Sequence, residues 1–221
     1  GTVTTRLTTN GTDPLDAPNY VAVAPDGRIW FTDPCLGELI VFNPQTDAVD
    51  AVHPFDRDLE GGPNGIAFDA AGEKAWVATE NVALLCSQPE RELTANVAGV
   101  FSVSMTDIEA AHETVAPEVG IFGNGLAFDA EGNLYIIFDQ QENFMLTESA
   151  VWVLPAGGNE LVKFLAAKPN QVYANVAFGE GAFGETTLYL SLLNVPGFTD
   201  ATISRGVDRI EIGIAGQPLL P

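Results

Sequence analysis

The stretch PNYVAVAPDGRIWFTD, residues 18–33, decides how the rest of the chain is interpreted. It contains an asparagine, a short apolar run, a turn that ends in glycine, and a second run with an aromatic residue. Two runs of β-forming residues around a glycine-containing turn predict a β-hairpin. The same order of features returns three times, in the segments PNGIAFDAAG (63–72), GNGLAFDAEG (123–132) and ANVAFG (174–179).

The four segments are spaced like the blades of a propeller. Their asparagines are separated by 45, 60 and 51 residues, and an aromatic-rich second strand and further strands follow each of them. Four antiparallel strands that recur at such intervals are typical of propeller blades. We therefore predict an all-β fold, a β-propeller of four-stranded antiparallel blades, with the second-strand aromatic residues filling the wedges between blades.

The predicted domain organisation is a single β-propeller over residues 1–221. The repeats are placed at about 18–62, 63–122, 123–173 and 174–221. The last repeat lacks a clear fourth strand, and residues 2–9 alternate like an outer strand, so they are a candidate closing strand. Two arrangements remain open: a four-bladed ring closed by that strand, and the C-terminal part of a larger propeller.

The composition and net charge of the chain limit the classes of molecule that it can bind. The chain carries 30 acidic and 9 basic residues, a formal charge of −21, so nucleic acid and anionic membranes are poor partners. No apolar stretch approaches the roughly 20 residues that span a bilayer. The acidic composition suits extracellular water, and we expect a secreted or periplasmic protein. The two cysteines, Cys35 and Cys86, follow second strands of neighbouring blades and allow either one disulfide or two buried thiols.

Chain direction predicts where polar side chains converge. Inner strands begin at one end of a propeller channel, so four asparagines are expected to ring that opening: Asn19, Asn64, Asn124 and Asn175. The antiparallel second strands return to the same end, which places three carboxylates one strand further out: Asp33, Glu80 and Asp139. Amide and carboxylate oxygens suit hard cations such as calcium. The alternative is structural, because asparagine also caps loops through neighbouring backbone.

The motifs also carry a resemblance to a known family. Residues 18–34 (PNYVAVAPDGRIWFTDP) resemble the gluconolactonase, senescence-marker-protein and luciferin-regenerating-enzyme family, and the later repeats resemble its following blades. The resemblance covers most of the chain and implies a six-bladed propeller with a divalent ion, expected to be calcium, in its channel. It places Asn64 on a metal-binding asparagine and Asn19 on one that contacts substrate or metal-bound water. Asn124 falls where the family usually has an aspartate that is both ligand and base.

Together these features predict a metal-dependent hydrolase of a small lactone or ester. The expected metal ligands are Asn64, Asn124 and Asn175. The expected substrate contacts are Asn19, Glu80 and Asp33. A neutral Asn124 cannot accept a proton, so Asp139 is the expected catalytic base. The glutamate ligand that the family takes from a first blade has no visible counterpart here.

Two other functions remain open at this point. One is a non-catalytic propeller that binds a protein or small ligand at its channel mouth. The other is a lyase of the streptogramin type, which needs a catalytic histidine near the channel, and the chain offers only His53 and His112. The sequence shows no partner for either histidine at a spacing typical of a catalytic triad.

Overall fold

The structure is a computed structural model that describes residues 4–81, 86, 98–120, 122–142, 145–169, 171–194 and 206–218. Within these residues the regular structure is β-strand, apart from one short 3-10 turn at Gly181–Phe183. The strands are β1 Val21–Val23, β2 Ile29–Asp33, β3 Glu38–Asn43, β4 Ala48–Pro54, β5 Gly62–Phe68, β6 Lys74–Glu80, β7 Ala98–Ser104, β8 Glu113–Gly120, β9 Phe122–Phe128, β10 Leu134–Glu142, β11 Met145–Leu154, β12 Val162–Ala166, β13 Val172–Phe178, β14 Thr187–Leu193 and β15 Gly206–Glu211.

These strands form four antiparallel blades in chain order, which confirms the propeller prediction. Blade 1 is β1–β4, blade 2 is β5–β8, blade 3 is β9–β12, and blade 4 is β13–β15. Blades 2 and 3 join into one continuous sheet through the pairing of Glu80 with Phe122. Blade 4 has three strands among the described residues. Of the segment 2–9 expected to close it, residues 2 and 3 lie outside the described residues, and Arg6 contacts blade 1, where its Nη1 donates to Asp47 Oδ1 at 3.2 Å.

The core lies in the wedges between consecutive blades. The second strands of blades 1, 2 and 3 each supply an aromatic ring that meets, edge to face, the phenylalanine ending the inner strand of the next blade. The three ring pairs and their centroid separations are Trp30 with Phe68 at 5.6 Å, Trp76 with Phe128 at 5.8 Å, and Tyr135 with Phe178 at 5.5 Å. Aromatic pairs in this geometry add about 0.5–1.5 kcal/mol beyond their buried area. The expectation that these aromatic residues fill the wedges is confirmed.

A disulfide fastens blade 1 to blade 2. Cys35, in the turn after β2, is bonded to Cys86, in the segment after β6. Of the two states that the sequence left open, the structure contains the bridge. A disulfide persists in oxidising compartments, which is compatible with a secreted or periplasmic protein. Among the described residues, no helix has the length and apolarity needed to cross a membrane.

Candidate functional site

Five of the predicted site residues form one hydrogen-bonded group, called the amide–carboxyl cluster here: Asn19, Asn64, Glu80, Asn124 and Asp139. Asn19 Nδ2 donates to Glu80 Oε1 at 3.2 Å, and Asn64 Nδ2 donates to Glu80 Oε2 at 3.0 Å. Asn64 Nδ2 also lies 3.3 Å from Asn124 Oδ1, and Asn124 Nδ2 donates to Asp139 Oδ2 at 3.0 Å. The cluster therefore links blades 1, 2 and 3 at the end of the channel where the inner strands begin.

Local backbone irregularity positions the two central asparagines. The pairing of β5 with β6 shifts register between Pro63 and Ile66, and β9 shows the corresponding shift against Ile136 and Phe138 of β10. A bulge of this kind re-aims a side chain that regular pleating would send elsewhere. Asn64 lies inside the first of these shifts, at a position that remains buried.

Glycine follows both central asparagines because the inner strands approach too closely for a side chain. A Cβ placed on Gly65 would lie 2.0 Å from the carbonyl oxygen of Asn124. A Cβ on Gly125 would lie 1.9 Å from Asn175 Oδ1. The close packing that brings Asn64 and Asn124 into contact therefore depends on glycine at the next position.

Asn175 lies outside the cluster because its register differs by one residue. Asn19, Asn64 and Asn124 each lie four residues before the last inner-strand residue that pairs with the second strand, whereas Asn175 lies three before the corresponding residue, Phe178. A one-residue shift turns a strand side chain to the other face. Asn175 is exposed, and its Oδ1 accepts a hydrogen bond from the Val176 amide at 2.8 Å.

Asp33 shows the same difference on the second strand. Glu80 and Asp139 lie five residues after the first residue of their strand that pairs with the inner strand. Asp33 lies only four residues after the corresponding residue, Ile29. Its carboxylate is buried and accepts from three backbone amides at 2.8–3.2 Å: those of Asp16, Ala17 and Leu36. Asp33 thus holds the chain before β1 and the turn after β2, and it is not part of the cluster.

The two carboxyl groups of the cluster are strongly perturbed. Glu80 is 3% exposed, and burial raises its pKa from 4.5 to about 8, although the hydrogen bonds from Asn19 and Asn64 act to lower it. The nearby charge of Asp139 raises the pKa of Glu80 further. Removing a carboxylate from water disfavours its charged form unless a cation or several donors compensate.

Asp139 is also a buried carboxyl group, and one of its oxygens lacks a hydrogen bond of normal geometry. Burial raises its pKa from 3.8 to about 7, while hydrogen bonds from Ser149 and Asn124 act to lower it. Its Oδ2 accepts from Asn124, and its buried Oδ1 has no partner at normal hydrogen-bond geometry, although the Ser149 hydroxyl lies near the carboxyl group. Buried polar atoms are nearly always satisfied, so an unpaired carboxylate oxygen indicates a place for a ligand, ion or proton.

The composition of the cluster fits a hard cation. Its donors are carboxylate and amide oxygens, the ligand types that calcium takes. No group of three or more His, Cys, Asp or Glu side chains that could hold a metal occurs in the described parts of the chain. A cation here would therefore need amide oxygens from Asn64 and Asn124 beside the carboxylates of Glu80 and Asp139. The cluster is reachable from one side, because Asn19 is exposed and Asn124 is half-buried.

Sequence reasoning missed a second polar group, on the outer edge of blade 1. His53 Nδ1 lies 2.6 Å from the Ile108 carbonyl and must donate to it, so a neutral His53 accepts at Nε2 from His112 Nδ1 at 2.8 Å. Burial lowers the pKa of His53, which agrees with a neutral ring. His112 Nε2 then faces Glu60 Oε1 at 2.8 Å, so one of these two atoms must carry a proton for the contact to be a hydrogen bond.

This histidine pair lies far from the channel. His53 belongs to β4, the outermost strand of blade 1, and His112 to the connection between β7 and β8. The pair joins the two blades at their rim. The spacing of the two histidines in the sequence, 59 residues, gives no local signal of their contact.

Comparison with solved structures identifies similar folds. A structural-genomics target assigned provisionally as a gluconolactonase matches with a TM-score of 0.63 and 20% identity, over 96% of this chain and 64% of that one. Luciferin-regenerating enzyme matches with a TM-score of 0.61 and 16% identity, over 91% of this chain and 64% of that one. Streptogramin B lyase matches with a TM-score of 0.56 and 13% identity, over 82% of this chain and 50% of that one.

No protein-family model matches the chain, and no curated protein does. The chain spans slightly less than two thirds of the length of the gluconolactonase-like and luciferin-regenerating structures. At these identities the likeness concerns the fold. In fold, this chain is a β-propeller that resembles the gluconolactonase and luciferin-regenerating-enzyme propellers.

Proposed function

We propose that the chain is a hydrolase of a small ester or lactone that depends on a divalent cation, calcium being the expected ion. The observation that carries the proposal is the amide–carboxyl cluster: two buried carboxyl groups held by amides from three blades, with Asp139 Oδ1 lacking a partner. Buried, strongly perturbed carboxyl groups at a channel mouth are more frequent at functional sites than elsewhere. The gluconolactonase-like fold supports the reaction class.

The residues take separate roles in this proposal. Glu80, Asn64 and Asn124 would hold the cation, which supplies Lewis-acid polarisation of the substrate carbonyl when bound. Asp139 is the proton acceptor, because it is a carboxyl group beside Asn124, its Oδ1 has no partner at normal hydrogen-bond geometry, and a bound cation would keep it charged. Asn19 is exposed beside Glu80 and would orient the substrate. Asp33 and Asn175 are left out of this set because they hold local backbone.

Hydrolysis with and without chelator tests the proposal. Protein treated with EDTA and then dialysed is assayed on a small lactone and an aryl ester, before and after calcium or magnesium is added. We expect activity that disappears with the chelator and returns with calcium, because uncompensated burial keeps the two carboxyl groups protonated in part near neutral pH. Hydrolysis that is unaffected by the chelator, or absent with every cation, would rule the proposal out.

A second candidate is a propeller that binds a ligand without hydrolysing it. The observation that favours it is the internal satisfaction of Glu80: both of its oxygens accept from amides, and Asn124 is neutral. A rise in melting temperature with calcium but no hydrolysis of any ester or lactone would support this candidate over the first.

A further inference from the structure

The propeller channel contains a cavity that the amide–carboxyl cluster does not line. Its volume is about 760 Å³, within the range of about 300–1,000 Å³ typical of small-molecule sites. It is enclosed by the four inner strands β1, β5, β9 and β13, and residues 215–218 cross its far end. Tyr20 lies in its wall next to Asn19, and its hydroxyl lies near the Asn175 side chain. Tyr20 thus separates the cavity from the cluster.

The far end is lined by chain that follows blade 4. The Gln217 amide donates to the Phe128 carbonyl at 2.9 Å, and Gln217 Nε2 donates to the Phe68 carbonyl at 3.2 Å. Gly216 lies so close to Phe178 that a Cβ there would be 2.3 Å from the Phe178 Cβ. This segment connects blades 2, 3 and 4 and borders the cavity at the end where the inner strands finish.

The walls of the cavity are mostly apolar, and small residues keep it wide. Each inner strand contributes one alanine to the lining: Ala22, Ala67, Ala127 and Ala177. Val21 and Val23 also line the cavity and are 67% and 66% exposed, although they belong to the innermost strand of blade 1. Apolar surface left open to water favours a ligand with an apolar body by about 25 cal/mol per Å² covered.

The charged groups in the lining have one sign and lie at the same end of the channel as residues 215–218, since the Gly216 amide donates to the Glu185 carbonyl. Glu180 and Glu185 are exposed in the lining, and the described lining residues include no Lys, Arg or His. No ion pair between described residues involves either glutamate. With a formal charge of −21 on the whole chain, a cationic end is attracted and an anionic end is repelled. The nearby phenylalanine rings add cation–π attraction.

We propose that this cavity is a binding site for a small organic cation with an apolar body, such as an alkylammonium compound. The alkyl part would lie between the alanine positions and the two exposed valines, and the positive end would lie near Glu180 and Glu185. The proposal is independent of hydrolysis, because none of the lining residues belongs to the amide–carboxyl cluster.

Calorimetric titration with matched ten-carbon probes tests the proposal. Decyltrimethylammonium, decanol and decanoate are compared below their micelle concentrations. We expect saturable binding of about one decyltrimethylammonium per chain, weaker binding of decanol, and no binding of decanoate. Binding of decanoate as tight as that of the cation would overturn the proposal.

Variants locate the site. Ala177→Phe fills the cavity from an exposed position and should abolish binding, whereas Val162→Phe, on the exposed outer strand of blade 3, should leave it unchanged. The double variant Glu180→Gln, Glu185→Gln changes exposed side chains. It should lower the affinity for the cation about 2- to 5-fold without affecting the affinity for decanol. Equal affinity for the cation in wild type and Ala177→Phe would contradict the proposed location. So would an equal loss of affinity for decanol and for the cation in the glutamine variant.

Discussion

Replacing Gly65 with alanine is expected to lower the stability of the protein more than any other single methyl addition at the channel. The new Cβ would lie 2.0 Å from the Asn124 carbonyl oxygen and 2.9 Å from its carbonyl carbon, and both are backbone atoms of the next blade. Backbone in a paired strand cannot move aside cheaply, so blades 2 and 3 would have to separate. We expect a loss of about 3 kcal/mol, or about 6–12 °C in melting temperature.

Gly125→Ala is the matched comparison. Its nearest obstacle, at 1.9 Å, is the Asn175 side-chain oxygen, which can rotate away, although Asn175 Cα lies 2.9 Å from the same point. The loss should be smaller, and Asn175→Ala in the same chain should recover part of it. Thermal melts of Gly65→Ala, Gly125→Ala and the double variant Gly125→Ala, Asn175→Ala test this expected order of stability. A Gly65→Ala protein as stable as wild type would show that the inner strands are not packed as described.

Asp139→Asn is expected to lower kcat about 10²- to 10⁴-fold, with KM nearly unchanged, if the proposed hydrolase activity is present. Asparagine has almost the same shape and can still accept the hydrogen bond from Asn124 Nδ2 through its amide oxygen. It cannot accept a proton at neutral pH, so only the proton-transfer role is removed.

Asp33→Asn provides a control with the same chemical change. Asp33 is a buried carboxylate on the equivalent strand of blade 1, but its oxygens accept from the backbone amides of Asp16, Ala17 and Leu36. This variant should melt at a lower temperature while the folded enzyme keeps its kcat. An Asp139→Asn enzyme with wild-type kcat, or an Asp33→Asn enzyme that is folded but inactive, would contradict the assigned roles.

The fold could be predicted from the sequence because a propeller repeats its information four times. Each repeat has a turn glycine and an aromatic second strand, and Trp30, Trp76 and Tyr135 all meet the next blade as their common position implied. Chain direction alone was also sufficient to bring Asn64, Glu80 and Asp139 to one end of the channel. These inferences depend on topology, which tolerates small errors of alignment.

Register does not tolerate such errors, and it explains why Asp33 and Asn175 lie outside the cluster. One residue of offset turns a side chain to the opposite face of its strand. The offset of Asn175 could have been found by counting three residues to Phe178 instead of four. The pairs Asn64-Gly65 and Asn124-Gly125 carry another signal, since this dipeptide usually marks a hairpin turn. Here it marks a bulge with close backbone approach, which only the neighbouring blade reveals.

The buried carboxyl groups also predict how stability varies with pH. In the unfolded chain Glu80 loses its proton near pH 4.5, whereas in the folded chain it keeps it until about pH 8. Asp139 behaves in the same way between 3.8 and about 7. Between these values the folded state binds more protons than the unfolded state, so the free energy of unfolding decreases as pH rises. The contribution of these two groups to the free energy of unfolding is fully present below about pH 4 and is lost by about pH 8.

A bound cation should reverse this loss, because it favours the charged form of both groups. The cation binds the folded state at a site that the unfolded chain lacks, and 100-fold excess over Kd adds about 2.7 kcal/mol. The variant Glu80→Gln, Asp139→Asn separates this effect from general screening of a chain with a formal charge of −21. It keeps side chains of nearly the same shape and removes both titrating groups.

The most direct test of the cation site is the melting temperature at pH 8, with and without calcium at constant ionic strength, for wild type and for the Glu80→Gln, Asp139→Asn variant. The account predicts that calcium raises the melting temperature of the wild type by several degrees and leaves that of the double variant unchanged. Equal shifts in the two proteins, or no shift in the wild type, would contradict it.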